Sequence, residues 1–165
     1  MAALFYSVYE NPLVGRLYLI ASETELITIS IGEPDFLQSC RKYPCSRRDD
    51  MPIFPTLASL FDRYFSGEDI DFLLPLFSSG TEFQKAVWGE ISKIPYGETR
   101  TYSEIAMSIN RPKAVRAVGQ ASRANPFPFI VPCHRVIGKN GSLTGYAGSK
   151  TPIKESLLKL EKAIV

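Results

Sequence analysis

The sequence has few cysteines, a single histidine and no long apolar run. Three cysteines among 165 residues are too few, and odd in number, for a disulfide framework. No apolar stretch approaches the length that crosses a membrane. Residues 1–6 (MAALFY) lack the basic region and apolar stretch of a secretory signal. These absences exclude a disulfide-rich secreted protein and a membrane protein, and we expect the chain to stay in the compartment where it is made.

Positive and negative charges are nearly balanced overall but unevenly distributed. The formal net charge is +2. Residues 1–80 carry 6 basic and 11 acidic side chains, a net charge of −5, whereas residues 81–165 carry 13 and 6, a net charge of +7. A basic half is typical of a surface that meets a polyanion such as nucleic acid, although two solvated surfaces of different charge would give the same count.

The first half of the chain predicts a small antiparallel sheet. Residues 3–9, 16–20 and 25–31 are rich in β-branched and aromatic residues and are separated by turn residues. Residues 40–55 contain three prolines and a cluster of charges, which predicts a loop. Residues 56–67 space their apolar side chains on one helical face, which predicts a helix packed against the core.

The second half predicts a separate, mostly helical domain. Gly80 marks the boundary, so that the two predicted domains are residues 1–79 and 80–165. The helices of the second domain are predicted from apolar spacing, from capping patterns at Thr81 and Thr101, and from Asn and Pro at their ends. They cover residues 81–91, 102–109 and 113–124.

The last two of these helices have the outline of a helix-turn-helix. A tight turn joins them, and the second helix carries Lys113, Arg116 and Arg123. Small residues such as Ala114 follow along this helix and would let it approach a DNA groove, or another helix, closely. Many helical hairpins share the outline, so it indicates DNA binding only together with the basic charge of this half.

The stretch VPCHRVIG, residues 131–138, sets Cys133 beside the chain's only histidine, His134. The thiolate is the nucleophilic form of cysteine, and a nearby histidine or cation lowers the pKa of the thiol. Most free cysteines are buried and inert, and neighbours in an extended segment point to opposite faces. The pair is therefore a candidate for nucleophilic catalysis that depends on the other motifs.

Five motifs that follow one another between Phe83 and Glu161 resemble those of the O6-alkylguanine-DNA alkyltransferases. The motifs are IPYGETRTYSEIA (residues 94–106), RAVG (residues 116–119), Asn125-Pro126, VPCHRVIG (residues 131–138) and GSLTGY (residues 141–146). The resemblance implies an α+β protein. A ribonuclease-H-like N-terminal lobe with a small antiparallel sheet would precede a mostly helical C-terminal lobe with a helix-turn-helix. The N-terminal half resembles the family only in its coarse strand pattern.

The resemblance implies direct repair of DNA. The family transfers an alkyl group from O6 of guanine to its own cysteine, which corresponds to Cys133, and O4-alkylthymine is a further candidate substrate. His134 would activate the thiol, usually through a water molecule, and Glu161 would orient His134. Tyr102 would help to rotate the nucleotide and would protonate the departing guanine. Because a thioether is not hydrolysed as a thioester is, each molecule is expected to act once.

The same resemblance assigns the DNA contacts and the base pocket. Arg116 would enter the base stack in place of the flipped nucleotide, and Asn125 would be the hinge between the recognition helix and the active-site segment. The residues expected to contact DNA are Arg116, Tyr102, Ala114, Lys113 and Arg123. Those expected to line the pocket are Tyr146, Val136, Ala147 and Asn125.

The partner implied by the resemblance is double-stranded DNA that contains O6-alkylguanine. We expect a monomer that binds this DNA through the minor groove and does not associate with a membrane. Its expected location is the cytoplasm of a prokaryote, or the nucleus if the source is eukaryotic.

Two departures from the family pattern affect these expectations. Ala147, Gly148 and Ser149 stand where the family usually has Ser-Gly-Gly, which bears on pocket size and substrate preference more than on activity. Some relatives hold zinc in the N-terminal lobe with the help of histidine. This lobe has no histidine, so Cys40 and Cys45 cannot complete such a site, and we expect no metal and no cofactor. The two cysteines are either free or joined as a disulfide.

Two other functions fit parts of the sequence. A relative that binds alkylated DNA without reacting has its reactive cysteine replaced, commonly by tryptophan, and Cys133 argues against it. A cysteine hydrolase that never meets DNA would keep the Cys133–His134 pair, but the basic half and the helix-turn-helix outline argue against it. The sequence therefore predicts a single-turnover, alkyl-accepting DNA repair protein.

Overall fold

The computed structural model describes residues 2–143 and 151–164. The chain divides into two units, Met1–Ser78 and Ser79–Val165. Within the described ranges, no helix is both long enough and apolar enough to cross a membrane.

The first unit is built on a four-stranded sheet with strand order β3-β2-β1-β4. Strands β1 (Phe5–Asn11), β2 (Gly15–Ala21) and β3 (Leu26–Ile31) are antiparallel neighbours. Gly15 has φ +77° in the β1–β2 turn, a conformation that glycine adopts without steric cost. All six residues of β3 are buried, which shows that the sheet is covered on both faces. The predicted antiparallel sheet is confirmed.

Two helices and a short strand complete the first unit, and they correct the loop predicted over residues 40–55. Helix α1 (Glu33–Lys42) extends into that range, β4 (Ser46–Arg47) pairs in parallel with β1, and α2 (Ile53–Phe65) begins inside it. Two of the three prolines explain the error, because Pro52 and Pro55 lie at the start of α2. Proline is tolerated in the first turn of a helix, where the backbone N–H has no intrahelical partner, so these two mark a helix start rather than a loop.

The two helices pack on opposite faces of the sheet. On one face the ring of Phe36 in α1 stacks on Tyr18 of β2, with centroids 4.2 Å apart. On the other face Tyr9 of β1 packs against Phe61 of α2 at 5.3 Å and donates its hydroxyl to Asp62 at 2.7 Å. The aromatic stripe of α2 is therefore core, as its spacing predicted.

The second unit consists mainly of helices. They are α3 (Glu82–Ile91), α4 (Tyr102–Ser108), α5 (Val115–Arg123) and α6 (Thr151–Leu160). Strands β5 (Arg100–Thr101) and β6 (Val136–Ile137) form a two-stranded parallel sheet. Thr81 and Thr101 cap α3 and α4, each within a complete capping box, as the sequence predicted.

Helices α3, α4 and α5 pack on one another, and α4 and α5 form the helix-turn-helix. Val87 of α3, Ile105 of α4 and Val118 of α5 are buried where the helices meet. The indole N–H of Trp88 donates to the carbonyl of Ala121 at 2.8 Å, which ties α3 to α5. Helix α5 starts at Val115, two residues later than predicted.

Candidate active site

Cys133 lies at the start of a 3-10 turn, Cys133–Arg135, that leads into β6. Its side chain is buried, and the side-chain N–H of Asn125 donates to Sγ at 3.2 Å and to the carbonyl of Val131 at 2.8 Å. Burial raises the pKa of the Cys133 thiol to about 11, against the lowering effects of the Asn125 hydrogen bond and the Lys154 charge. The thiol is therefore protonated at neutral pH, and its activation requires a base.

His134, which follows Cys133 in the chain, forms a buried pair with Glu161. The Nε2 atom of His134 lies 2.8 Å from Oε2 of Glu161, and both side chains are fully buried. Burial lowers the pKa of His134, although the Glu161 carboxylate acts in the opposite direction. The ring is therefore neutral at pH 7. Since a carboxylate accepts the hydrogen bond, we assign the proton to Nε2, which makes Nδ1 the basic nitrogen of the ring.

Arg135 holds the Glu161 carboxylate from the other side. Its Nε donates to Oε1 at 2.8 Å and its Nη2 to Oε2 at 3.0 Å, while Nη1 donates to the carbonyl of Ile94 at 2.7 Å. The guanidinium also lies 5.7 Å from the centroid of the Tyr96 ring. Two-point contact of this kind fixes the orientation of a carboxylate as well as its charge. Sequence reasoning did not assign Arg135, although it directly follows the Cys-His pair.

Lys154 is a second residue that sequence reasoning missed. It is fully buried in α6, and its ammonium donates to the carbonyl of Val136 and, at 3.4 Å, to the hydroxyl of Tyr102. Desolvation lowers the pKa of Lys154 from 10.5 to about 8, against the raising effect of Cys133. The available signal was its spacing from Leu157 and Leu158, since the three share the buried face of α6.

Tyr102 and the basic residues lie on the helix-turn-helix. Tyr102 is the first residue of α4, directly after its cap. Desolvation, and to a lesser extent Cys133, raise the pKa of Tyr102. Arg116 and Arg123 are exposed and lie two turns apart on one face of α5, and Lys113 is exposed just before it. Ala114, the residue that precedes α5, is partly buried.

The structure places part of the predicted base pocket near the thiol. Asn125 contacts Sγ of Cys133, and Val136 is buried in β6. The Val136 carbonyl and the Tyr102 hydroxyl both accept hydrogen bonds from the Lys154 ammonium. Tyr146 and Ala147 lie outside the described residues. In residues 2–143 and 151–164, no group of three or more His, Cys, Asp or Glu side chains could hold a metal ion.

The chain is similar to known proteins over nearly its whole length. Two family models match it: "6-O-methylguanine DNA methyltransferase, ribonuclease-like domain" over residues 4–77 and "6-O-methylguanine DNA methyltransferase, DNA binding domain" over residues 82–163. The constitutive methylated-DNA–protein-cysteine methyltransferase of Bacillus subtilis is 43% identical over 158 residues, which cover 96% of this chain and 95% of the relative. The methylated-DNA–protein-cysteine methyltransferase of Methanosarcina mazei is 53% identical over 161 residues, covering 96% and 98%.

A solved structure is similar to this one in fold and in sequence. The crystal structure of Mycobacterium tuberculosis OGT in complex with DNA superposes with a TM-score of 0.83 at 40% identity, covering 96% of this chain and 93% of that chain.

The buried lysine predicts a pH-dependent stability difference. Below pH 8 Lys154 is charged in both states, and the folded state bears the cost of desolvating it. Between pH 8 and 10.5 the folded protein binds fewer protons than the unfolded chain, so the contribution of Lys154 to stability rises with pH. The stability of Lys154→Met relative to wild type should therefore be highest below pH 8. The difference in the free energy of unfolding should fall by on the order of 3 kcal/mol by pH 10.5.

Urea unfolding across this pH range measures the difference. Lys159→Met is the matched control, because it removes a lysine from the exposed side of the same helix. A stability difference between Lys154→Met and wild type that stays constant from pH 8 to 10.5 would show that Lys154 titrates as an ordinary lysine.

Proposed function

The chain belongs to the 6-O-methylguanine DNA methyltransferase family, and on that basis we propose that it repairs DNA by transferring an alkyl group from O6 of guanine to Sγ of Cys133. The observation that carries the assignment to Cys133 is the buried cluster around it. Cys133 is directly followed by His134, which is hydrogen-bonded to Glu161. The same thiol accepts a hydrogen bond from Asn125, at the end of the helix-turn-helix.

The proposed reaction begins with loss of the thiol proton. Nδ1 of His134 takes this proton, through a bridging water, and Glu161 stabilises the imidazolium that forms. The thiolate then attacks the alkyl carbon in line with the bond to O6. An S–C bond forms, the C–O bond breaks, and its electron pair stays on the guanine. A thiolate suits this displacement because it is soft and polarizable.

Tyr102 supplies the proton that the departing guanine needs. Its hydroxyl oxygen accepts a hydrogen bond from the Lys154 ammonium at 3.4 Å, so the phenolic proton points away from that ammonium and can be donated to the guanine. Protonation of a leaving group that would otherwise carry negative charge lowers the barrier. Asn125 and Val136, with Tyr146 and Ala147, form the base pocket in this proposal.

The product makes the protein a single-turnover agent. S-alkylcysteine is a thioether, and neither water nor a neighbouring carboxylate displaces its alkyl group under mild conditions. A cysteine hydrolase would instead pass through a thioester that water cleaves. The buried thiol with its raised pKa also suits one activated transfer better than repeated hydrolysis.

The proposed DNA interface is the exposed face of α5. Arg116 and Arg123 share this face, Lys113 lies just before it, and Ala114 allows the helix to come close. We place this face in the minor groove of double-stranded DNA, with Arg116 filling the gap left by the flipped nucleotide. The similarity to a structure described as a complex with DNA supports the general mode. The protein acts as a monomer where its DNA is, in the cytoplasm of a prokaryote or the nucleus of a eukaryote.

Replacement of the nucleophile should separate binding from transfer. In Cys133→Ser the hydroxyl carries essentially no anion at neutral pH, so transfer of a labelled methyl group from O6-methylguanine DNA should fall below detection while a gel shift still shows binding. Wild type should accept at most one equivalent, and the label should lie on the peptide that contains Cys133. Cys40→Ser, the matched thiol-to-hydroxyl control, should transfer normally. A labelled Cys133→Ser protein, or many turnovers by wild type, would refute the assignment.

Arg116→Ala should slow repair of duplex DNA far more than reaction with a free O6-alkylguanine base. The reduction in duplex should be roughly 10- to 100-fold, because the extruded base loses stacking worth a few kcal/mol that the arginine partly replaces. Rates are measured by single-turnover kinetics at saturating protein. Arg123→Ala, on the same face, should weaken DNA binding but keep the saturated rate. Equal slowing of both substrates by Arg116→Ala would place this residue in the chemistry instead.

The groove assignment predicts a specific pattern of competition. A ligand that fills the minor groove should displace the protein from a short duplex, whereas bulky groups on pyrimidine C5 atoms, which project into the major groove, should leave affinity unchanged. Affinity should fall with added salt and depend little on sequence, because phosphate contacts dominate. Sedimentation should show one protein on a minimal duplex. Interference by the C5 groups alone would indicate binding through the major groove.

A further inference from the structure

Two thiols of the first unit have no part in the proposed repair reaction. Cys40 lies near the end of α1, and Cys45 directly precedes β4. Their Sγ atoms are 3.9 Å apart, and both side chains are partly buried. A disulfide bond is ~2.05 Å long and tolerates only a narrow range of side-chain geometry. The two thiols therefore need to approach by only ~2 Å to bond.

The fold holds the two cysteines facing each other. Both pack against the apolar cluster that contains Phe36 of α1 and Tyr18 of β2. Helix α1 ends at Lys42, the Tyr43 N–H closes it onto the Ser39 carbonyl, and the chain turns back toward the sheet edge. Packing on a shared cluster limits the rotamers of both cysteines, so little conformational freedom remains to be lost when they bond.

We propose that Cys40 and Cys45 are a site of intramolecular disulfide formation that fastens the end of α1 to β4. The co-reactant is a low-molecular-weight disulfide. One thiolate attacks it and releases one small thiol, and the second cysteine then displaces the other. The protein loses two protons and two electrons, and the small disulfide is reduced to two thiols.

The environment of Cys45 makes exchange reactions at this thiol slow. Burial, and then the neighbouring Cys40, raise the pKa of Cys45 to about 12. Exchange proceeds through the thiolate, so little of the reactive form exists at neutral pH. For the same reason Cys45 is a poor leaving group when an external thiol attacks the sulfur of Cys40. Low reactivity at Cys45 is a property of structural rather than catalytic disulfides.

The bond would also fix a groove on the first unit. Residues of α1 and β4 form its walls, among them Phe36, Leu37 and Arg47, and Tyr6 and Tyr18 of the sheet line it, enclosing about 330 Å³. Cys40 belongs to α1 and Cys45 adjoins β4. A bond between them would therefore set the distance between these two walls at one end of the groove.

The experiment compares four proteins after incubation with excess glutathione disulfide. Wild type and Cys133→Ser should each lose the mass of two hydrogen atoms, while Cys40→Ser and Cys45→Ser should not. Trypsin cleaves at Arg41 and Lys42, between the two cysteines, so the resulting peptides remain joined only through the disulfide. After unfolding of oxidised wild type, iodoacetamide should label Cys133 alone.

The oxidised protein should also unfold at a higher temperature than the reduced one, by a few degrees, because the bond restricts the unfolded chain. This shift should be absent in Cys40→Ser. Glutathione adducts without a joined peptide, a peptide joined to Cys133, or dimers linked between chains would each overturn the proposal.

Discussion

The candidate active site depends on a carboxylate that is buried directly after the last helix. An isolated buried carboxylate is costly, and its charge is tolerated only when it is paired and hydrogen-bonded. Glu161 meets this condition through the guanidinium of Arg135 and the ring of His134. Arg135 in turn binds the carbonyl of Ile94. Gly97 has φ +83°, and a Cβ at this position would crowd the Glu161 carbonyl oxygen at 3.3 Å. The Arg135–Glu161 ion pair thus connects three chain segments, which contain Ile94, residues 134–135 and Glu161.

Burial sets the resting protonation of the whole site. It raises the pKa of the Cys133 thiol and lowers those of His134 and Lys154. Thiol and imidazole are therefore both neutral in the resting protein, which is compatible with the proposed single use of the nucleophile. The Asn125 hydrogen bond and the Lys154 ammonium act in the opposite direction and favour the thiolate form of Cys133.

Local patterns were sufficient for most of the secondary structure. Alternation and turn residues located three strands, and the capping boxes at Thr81 and Thr101 located two helix starts within one residue. The prediction failed at residues 40–55, where Pro52 and Pro55 lie at the start of α2 and β4 pairs for only two residues. A two-residue strand has no periodicity of its own, since its existence depends on the edge of β1.

The sequence by itself determined the family, the fold class and the identity of the candidate nucleophile, because these depend on motifs whose residues are close together in the chain. Only the tertiary structure decided which groups from distant parts of the chain contact these motifs. His134 and Glu161 are 27 residues apart, and Lys154 reaches Tyr102 across 52. No local pattern encodes such a contact. Folding brings these groups together by burying them, and the same burial sets their pKa values, which no motif specifies.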